Sequence, residues 1–418
     1  LFDLPAKEGD KDGIVNGALK RLTKLKPAPL ASKSLVSQIK ACNYDDDLEE
    51  LKDCDIIIEA IAERMEWKKD LYDKVEDYVA PHAIFATNTS GLSINELSTV
   101  LPKSLLNRFC GVHFFNPPRY MHLAEIIPCT HTDADVLDNL EGFLVKTLGK
   151  GVVRAKDTPN FLANRIGVFS MLSVLHHTDE QNLPIDTVDA ITGAKIGRAK
   201  SATYRTSDIV GLDTFGHVVG TMTKQLPDSP WAEHYGLPSW FTNLVDQGNL
   251  GQKTGAGFFK KEGKTILRLN LKSGEYEAKD GGIDDETKAI LKERDWAKRI
   301  PALRASSSPQ AQFLWGHFRD LWHYCAVNVG DIADNVRQLD LANRWGFGSQ
   351  MGPFETWQAA GWKEVAGWIQ EDIDAGKTMG AAPLPAWVGE VDGPYSAEGA
   401  YSPSANAFQK RSQLPVYE

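Results

Sequence analysis

The chain has 418 residues, of which 42% are hydrophobic and 24% charged, and its formal net charge is -10. This is the composition of a soluble globular protein of two or three domains, and it excludes a disordered, collagen-like or disulfide-built chain. The acidic balance argues against a nucleic-acid or anionic-membrane binder, because phosphate neutralisation needs a Lys/Arg surplus.

Leu1-Phe2-Asp3 reads as the end of a strand, and a helix is expected from about Lys11 to Leu25. Asp55–Ala60, Ala83–Thr87, Cys110–Phe115, Ala124–Pro128 and Gly151–Arg154 are short runs rich in β-branched and aromatic residues, and each reads as a buried strand. Between the first two of these runs, Trp67, Leu71, Val75, Tyr78 and Val79 define an apolar helical face, and Pro81 ends the helix. Strands alternating with helices imply a mostly parallel sheet, so residues 1–155 are expected to form an α/β domain of the Rossmann type. In such folds an acidic residue closes the second strand, about 20 residues after a Gly-rich turn. If Asp3 is that residue, the first strand and its turn belong upstream of Leu1, and the domain is N-terminally truncated. Gly346–Gly352 does not replace the turn: its glycine spacing is one residue too long, and it reads as a loop between helices.

After Arg154 the pattern becomes helical. Thr158 is a candidate N-cap with Pro159 at the first helical position. Ten of the 11 tryptophans lie beyond residue 230. Val188–Gly197 repeats as Leu339–Gly348 at an offset of 151, and Tyr204, Thr206 and Gly211 repeat as Phe354, Thr356 and Gly361 at 150. Two related helical modules are therefore expected, at 156–264 and 311–383, burying an apolar surface against each other. A hairpin and linker occupy 265–310, and the Pro-, Ala-, Gly- and Ser-rich residues 384–418 read as an extended tail.

The five cysteines (Cys42, Cys54, Cys110, Cys129, Cys325) are odd in number, widely spaced and without C-x-x-C, which suits free thiols in a cytoplasmic protein. Leu1–Pro5 has no leader character, and no run approaches the roughly 18 apolar residues of a membrane span. His176-His177 with Asp179 is not expected to bind metal, because adjacent helical side chains diverge. For chemistry, His113 near one strand end and Glu125 in the next strand could bring a carboxylate to an imidazole, as a neutral-pH general base requires, although spacing alone leaves packing roles open.

Phe85–Gly91, His113-Phe-Phe-Asn-Pro117, Leu123–Ile127, Asp157–Arg165 and Gly251–Phe259 together resemble the L-3-hydroxyacyl-CoA dehydrogenases, in the long bacterial form with a duplicated helical module. The resemblance runs from residue 1 to about 370. It implies a Rossmann domain followed by two all-α modules like the C-terminal domain of 6-phosphogluconate dehydrogenase. It also implies NAD-dependent oxidation of an acyl-CoA substrate in fatty-acid β-oxidation. His113 would be the base, Glu125 its orienting partner, and Ser90 and Asn164 hydrogen-bonding groups at the substrate oxygen. Asp3, Glu63, Lys68 and Asn88 would contact NAD, with Asp3 on the ribose hydroxyls, where it would repel a 2′-phosphate. A following enoyl-CoA hydratase domain and a thiolase partner occur with such forms. Departures are the absent glycine turn, Gly91 in place of a second serine, and Arg198–Tyr204 in place of a Tyr-Pro-Met-Gly-Pro-Phe pattern that the second module keeps as Gln350–Glu355. Two other readings compete. A free-acid β-hydroxyacid dehydrogenase would usually rely on a lysine base. A non-catalytic folding or assembly piece would hold NAD poorly without the pyrophosphate turn.

Overall fold

The apolar runs near the start become strands close to their expected positions in the computed structural model, which describes residues 1–417. The chain divides into two compact units, Leu1–His122 with Pro128–Leu148, and Leu123–Ile127 with Gly149 onward.

In the first unit β1 (Phe2–Asp3) lies parallel to β2 (Cys42–Asn43), with α1 (Gly13–Leu22) between them in sequence. β3 (Ile56–Glu59), β4 (Ile84–Thr87) and β5 (Phe109–Phe114) are parallel neighbours, Ile56 opposite Ile84 and Phe85 opposite Phe109. Parallel strands need a return crossover, and here α2 (Met65–Val75) and α3 (Ile94–Thr99) supply it. α4 (Ala134–Lys146) completes the unit. Tyr72 meets the rings of Phe85 and Phe109 edge-on at 5.5 and 6.1 Å, forming the core between α2 and the strands.

The inward face of α2 differs from the expected one. Trp67 is 52% exposed with the Arg64 guanidinium 4.6 Å from its ring centre, whereas Lys68 is fully buried with Tyr72 and Val75. Hydrophobic periodicity places tryptophan inside, but a lysine with a carboxylate waiting for it at the strand end takes that face instead.

In the second unit β6 (Leu123–Pro128) and β7 (Gly151–Arg154) are parallel, Leu123 opposite Gly151. These strands group with the helices because Ala155 bridges Ala333, and Lys156 bonds the Ile332 carbonyl through its N–H (3.2 Å) and the Gly330 carbonyl through Nζ (2.7 Å). α5 (Ala163–Glu180) begins later than the Thr158/Pro159 signal indicated. Asn160 and Phe161 have φ of 62° and 51°, a left-handed turn that postpones the helix by four residues relative to Pro159. α6 (Ile185–Thr192), α7 (Tyr204–Val210), α8 (Leu212–Gln225) and α9 (Ser239–Asp246) follow.

The expected hairpin is a three-stranded antiparallel sheet of β8 (Phe259–Glu262), β9 (Thr265–Leu269) and β10 (Tyr276–Ala278). The rest of the 265–310 segment is not linker but α10 (Asp285–Ile290) and α11 (Trp296–Ala305). α12 (Pro309–Ile332), α13 (Val336–Phe347) and α14 (Pro353–Asp374) form the second module. The extended-tail expectation for 384–418 is also corrected. α15 (Ala386–Glu390) and an antiparallel sheet of β11 (Tyr395–Ser396), β12 (Gly399–Ser402) and β13 (Ala407–Gln409) fold there, and Trp387 stacks between Trp362 and Tyr401 at 5.6 and 5.4 Å.

The internal repeat has a physical basis. Asp189 accepts from the N–H groups of Thr203, Tyr204 and Arg205 at the start of α7, and Asp340 accepts from Phe354 and Glu355 at the start of α14. Gly211 and Gly361 then bend each copy at φ of 103° and 107°, where a side chain would be strained. The two modules pack through α5 and α12: Phe169 stacks on Tyr324 at 3.7 Å, and Arg165 donates to Tyr324 (2.6 Å) and Asn328 (3.0 Å). Among the described residues no helix is long and apolar enough to cross a membrane.

Candidate active site

The first unit gathers polar groups at the carboxyl ends of β3, β4 and β5, where ligands bind in open α/β folds. Residues 88–91 form the turn after β4, and Ser93 caps α3 by accepting from the Glu96 N–H at 3.1 Å. Ser90 Oγ lies 3.1 Å from His113 Nε2. His113 is only 3% exposed, and its ring packs edge-on against Phe115 at 4.7 Å. With the proton on Nδ1, Nε2 is the acceptor and the Ser90 hydroxyl the donor.

Glu63 fixes this turn. Its carboxylate accepts from the Ser90 N–H at 2.7 Å and from the Thr89 hydroxyl. Asn88 Oδ1 accepts from the Phe114 N–H at 3.0 Å, tying the end of β4 to that of β5 and leaving the amide N–H groups for a ligand. Lys68 is placed otherwise than expected. Its ammonium donates to both Glu59 oxygens (2.7 and 2.8 Å), and Thr87 Oγ1 lies 3.5 Å away. The same carboxylate accepts from the Ile61 N–H and from the Tyr72 and Thr87 hydroxyls. The Glu59–Lys68 pair thus braces the strand ends from within. Glu59 escaped the sequence reading, although a carboxylate ending a β-branched run was a signal for it.

Asp3 sits exposed at the end of β1, one carboxylate oxygen holding the Leu4 N–H at 2.7 Å. An exposed carboxylate there suits a vicinal diol, and the Asn88 amide suits a carboxamide. These residues therefore fit the ribose and nicotinamide ends of NAD. Glu63 shapes the turn through its bonds to Thr89 and Ser90.

In the second unit Glu125 is fully buried, and Oε1 accepts from the N–H groups of Leu162 (3.2 Å) and Ala163 (2.7 Å). The carboxylate therefore sits at the N-terminus of α5, where unsatisfied N–H groups and the helix dipole favour an anion. Asn164, the second residue of that helix, is half-buried, and its side-chain amide makes no protein hydrogen bond among the described residues.

A further buried polar cluster joins α5 to α12. His177 Nε2 lies 2.7 Å from Asp320 Oδ2 and Nδ1 2.7 Å from Glu180 Oε2. Asp320 also pairs with Arg319 at 2.9 Å, and despite full burial His177 and Arg319 hold its carboxyl below the usual carboxylate range. Burial, with help from the neighbouring imidazoles, pushes His176 down to about 4. The expected divergence of His176 and His177 is corrected: their ring centres are 5.0 Å apart, while Asp179 turns away to accept from Trp240 Nε1 at 3.3 Å.

Comparison with known proteins adds family evidence. Residues 10–158 match the model "3-hydroxyacyl-CoA dehydrogenase, NAD binding domain", and residues 161–261 match "3-hydroxyacyl-CoA dehydrogenase, C-terminal domain". A probable 3-hydroxyacyl-CoA dehydrogenase of Bacillus subtilis is 40% identical over 370 residues, 86% of this chain and 47% of that protein. One of Deinococcus radiodurans is 41% identical over 258 residues, 62% of this chain and 73% of that protein. The chain thus spans about half the length of the first relative and most of the second. Among solved structures, 3-hydroxybutyryl-CoA dehydrogenase from Escherichia coli superposes with a TM-score of 0.68 at 20% identity, covering 93% of this chain and 92% of that one, a likeness of fold.

Proposed function

The chain belongs to the 3-hydroxyacyl-CoA dehydrogenase family, and from that premise we propose that it oxidises (S)-3-hydroxyacyl-CoA to 3-oxoacyl-CoA with NAD in fatty-acid β-oxidation. The observation that carries the reading is the Ser90–His113 contact at the carboxyl ends of β4 and β5. When bound, NAD supplies the hydride acceptor. His113 takes the proton from the substrate 3-hydroxyl, since the carbon–hydrogen bond can deliver hydride only as that oxygen loses its proton. When substrate binds, its 3-hydroxyl replaces Ser90 as the donor to His113 Nε2, and the released Ser90 hydroxyl turns its single proton toward the same substrate oxygen. The roles of Glu125, as the group that stabilises imidazolium, and of Asn164, as a donor to the substrate oxygen, are supported by the family resemblance and by the unsatisfied amide of Asn164. Asp3 and Asn88 would hold the cofactor, with Glu63 keeping the turn in place and Lys68 supporting it through Glu59.

The free thiols support a cytoplasmic setting, and a hydratase domain and a thiolase remain the partners suggested by the resemblance. The substrate class is tested by following NADH consumption with a 3-oxoacyl-CoA and with the matching free 3-oxo acid. Turnover is expected with the thioester and at least about a hundredfold less with the acid. Equal turnover would favour a free-acid dehydrogenase.

A further inference from the structure

We propose that His176, His177 and Glu180 form a site for one divalent cation of the zinc class, with His234 completing the ligand shell. None of these residues belongs to the proposed catalytic set, so the inference is independent of the dehydrogenase reading.

Three observations converge. One ligand atom from each of His176, His177 and Glu180 lies within 4.8 Å of the others. Tetrahedral zinc, with bonds near 2.0–2.1 Å, needs its donors about 3.3 Å apart, so small side-chain movements close the cluster on an ion. His177 and Glu180 stand at i and i+3 on one face of α5, a helical spacing that carboxylate–imidazole metal sites use. The ring of His234, from the Ala232–His234 turn, packs 4.9 Å from that of His176.

The supporting tier is already built. Metal-ligating imidazoles usually donate their second ring N–H to a carboxylate, which fixes the tautomer. His177 Nε2 has that partner in Asp320, which is fully buried and held in turn by Arg319 (2.9 Å) and the Met379 N–H (3.0 Å). With one ring proton held on Nε2 by Asp320, loss of the proton shared between Nδ1 and Glu180 leaves the Nδ1 lone pair for the ion. The Glu180 side chain is 50% exposed and gives solvent access, whereas that of His177 is 2% exposed.

Two or three imidazoles with one carboxylate suit zinc or cobalt rather than calcium or magnesium, which prefer all-oxygen shells. Without metal, a proton bridges Nδ1 and Glu180; the ion takes its place and the proton leaves to solvent. The bound ion would tie α5 to the Ala232–His234 turn and, through Asp320, to α12.

The test is zinc retention by the purified chain after gel filtration in metal-free buffer, together with the visible spectrum of the cobalt(II) form. One equivalent of zinc, imidazole-type cobalt bands and a zinc-dependent rise in Tm are expected. Glu180→Gln, at a half-exposed side chain, and His234→Gln should each weaken binding by at least about tenfold. Failure of the wild type to retain zinc would overturn the proposal. So would equal retention by both variants, or a cobalt spectrum without histidine ligation.

Discussion

Asp340 shows how far burial can move one carboxyl when its neighbours are backbone N–H groups and another acid. Desolvation, reinforced by the charge of Glu355, pushes it up to about 8, against the opposing bonds from Tyr395, Phe354 and Glu355. An unfolded aspartate titrates near 3.9. Between roughly pH 4 and 8 the folded chain therefore binds more protons than the unfolded one, and this contribution to stability is lost as pH rises through that window. Asp340→Asn, which cannot ionise, should flatten the decline by on the order of 1 kcal/mol or more between pH 5 and 8, read from denaturant melts. Identical slopes in variant and wild type would show that Asp340 is already ionised at pH 5. At this scale the sequence was legible for where its motifs sit: Ser90 follows one strand and His113 lies near the end of the next, although their 3.1 Å contact was not read from the sequence. It was not legible for Lys68 and Trp67, because periodicity scores a lysine as outward and cannot see that Glu59 lies beneath it. Nor did it show that His176 and His177 converge, since rotamers override the angular separation of adjacent positions.

Element boundaries depend on backbone events that composition hides. Pro159 is a sound N-terminal signal, yet Asn160 and Phe161 enter the left-handed region and α5 starts only at Ala163, where Glu125 holds its first N–H groups. The strands were easier to read, because continuous β-branched runs between turn residues have few alternatives. The terminal segment was misread for the opposite reason. Its Pro, Gly and Ser content resembles a linker, but Trp387, Tyr395, Tyr401 and Phe408 were the signal of a packed sheet. The pairing of α5 with other helices rests on close approach at glycine. A Cβ at Gly167 would overlap the ring of Phe347 from α13. Gly167→Ala should therefore destabilise the protein by about 1–3 kcal/mol, the usual range for overpacking a filled core. Thermal melting checks it, and an unchanged Tm would mean that α13 moves aside without penalty.

For the whole molecule, the sequence repeat announced the architecture of the second unit, and Asp189 with Asp340 explains why the repeat is detectable. Both carboxylates seat the same helix start, and the bends at Gly211 and Gly361 follow at matching positions. The terminal sheet belongs to that architecture, so Trp387→Ala should lower stability by about 3–5 kcal/mol in a denaturant melt. Wild-type stability in this variant would leave residues 384–417 as a dispensable appendage.

The proposed role of His113, taking the proton from the substrate 3-hydroxyl, is open to a kinetic test. The direct measurement is steady-state turnover of a 3-oxoacyl-CoA with NADH by wild type and His113→Gln. In His113→Gln kcat is expected to fall by at least about a hundredfold while KM for the thioester stays within a few-fold, because the group lost acts in the proton-transfer step. Turnover by His113→Gln close to that of the wild type would contradict it.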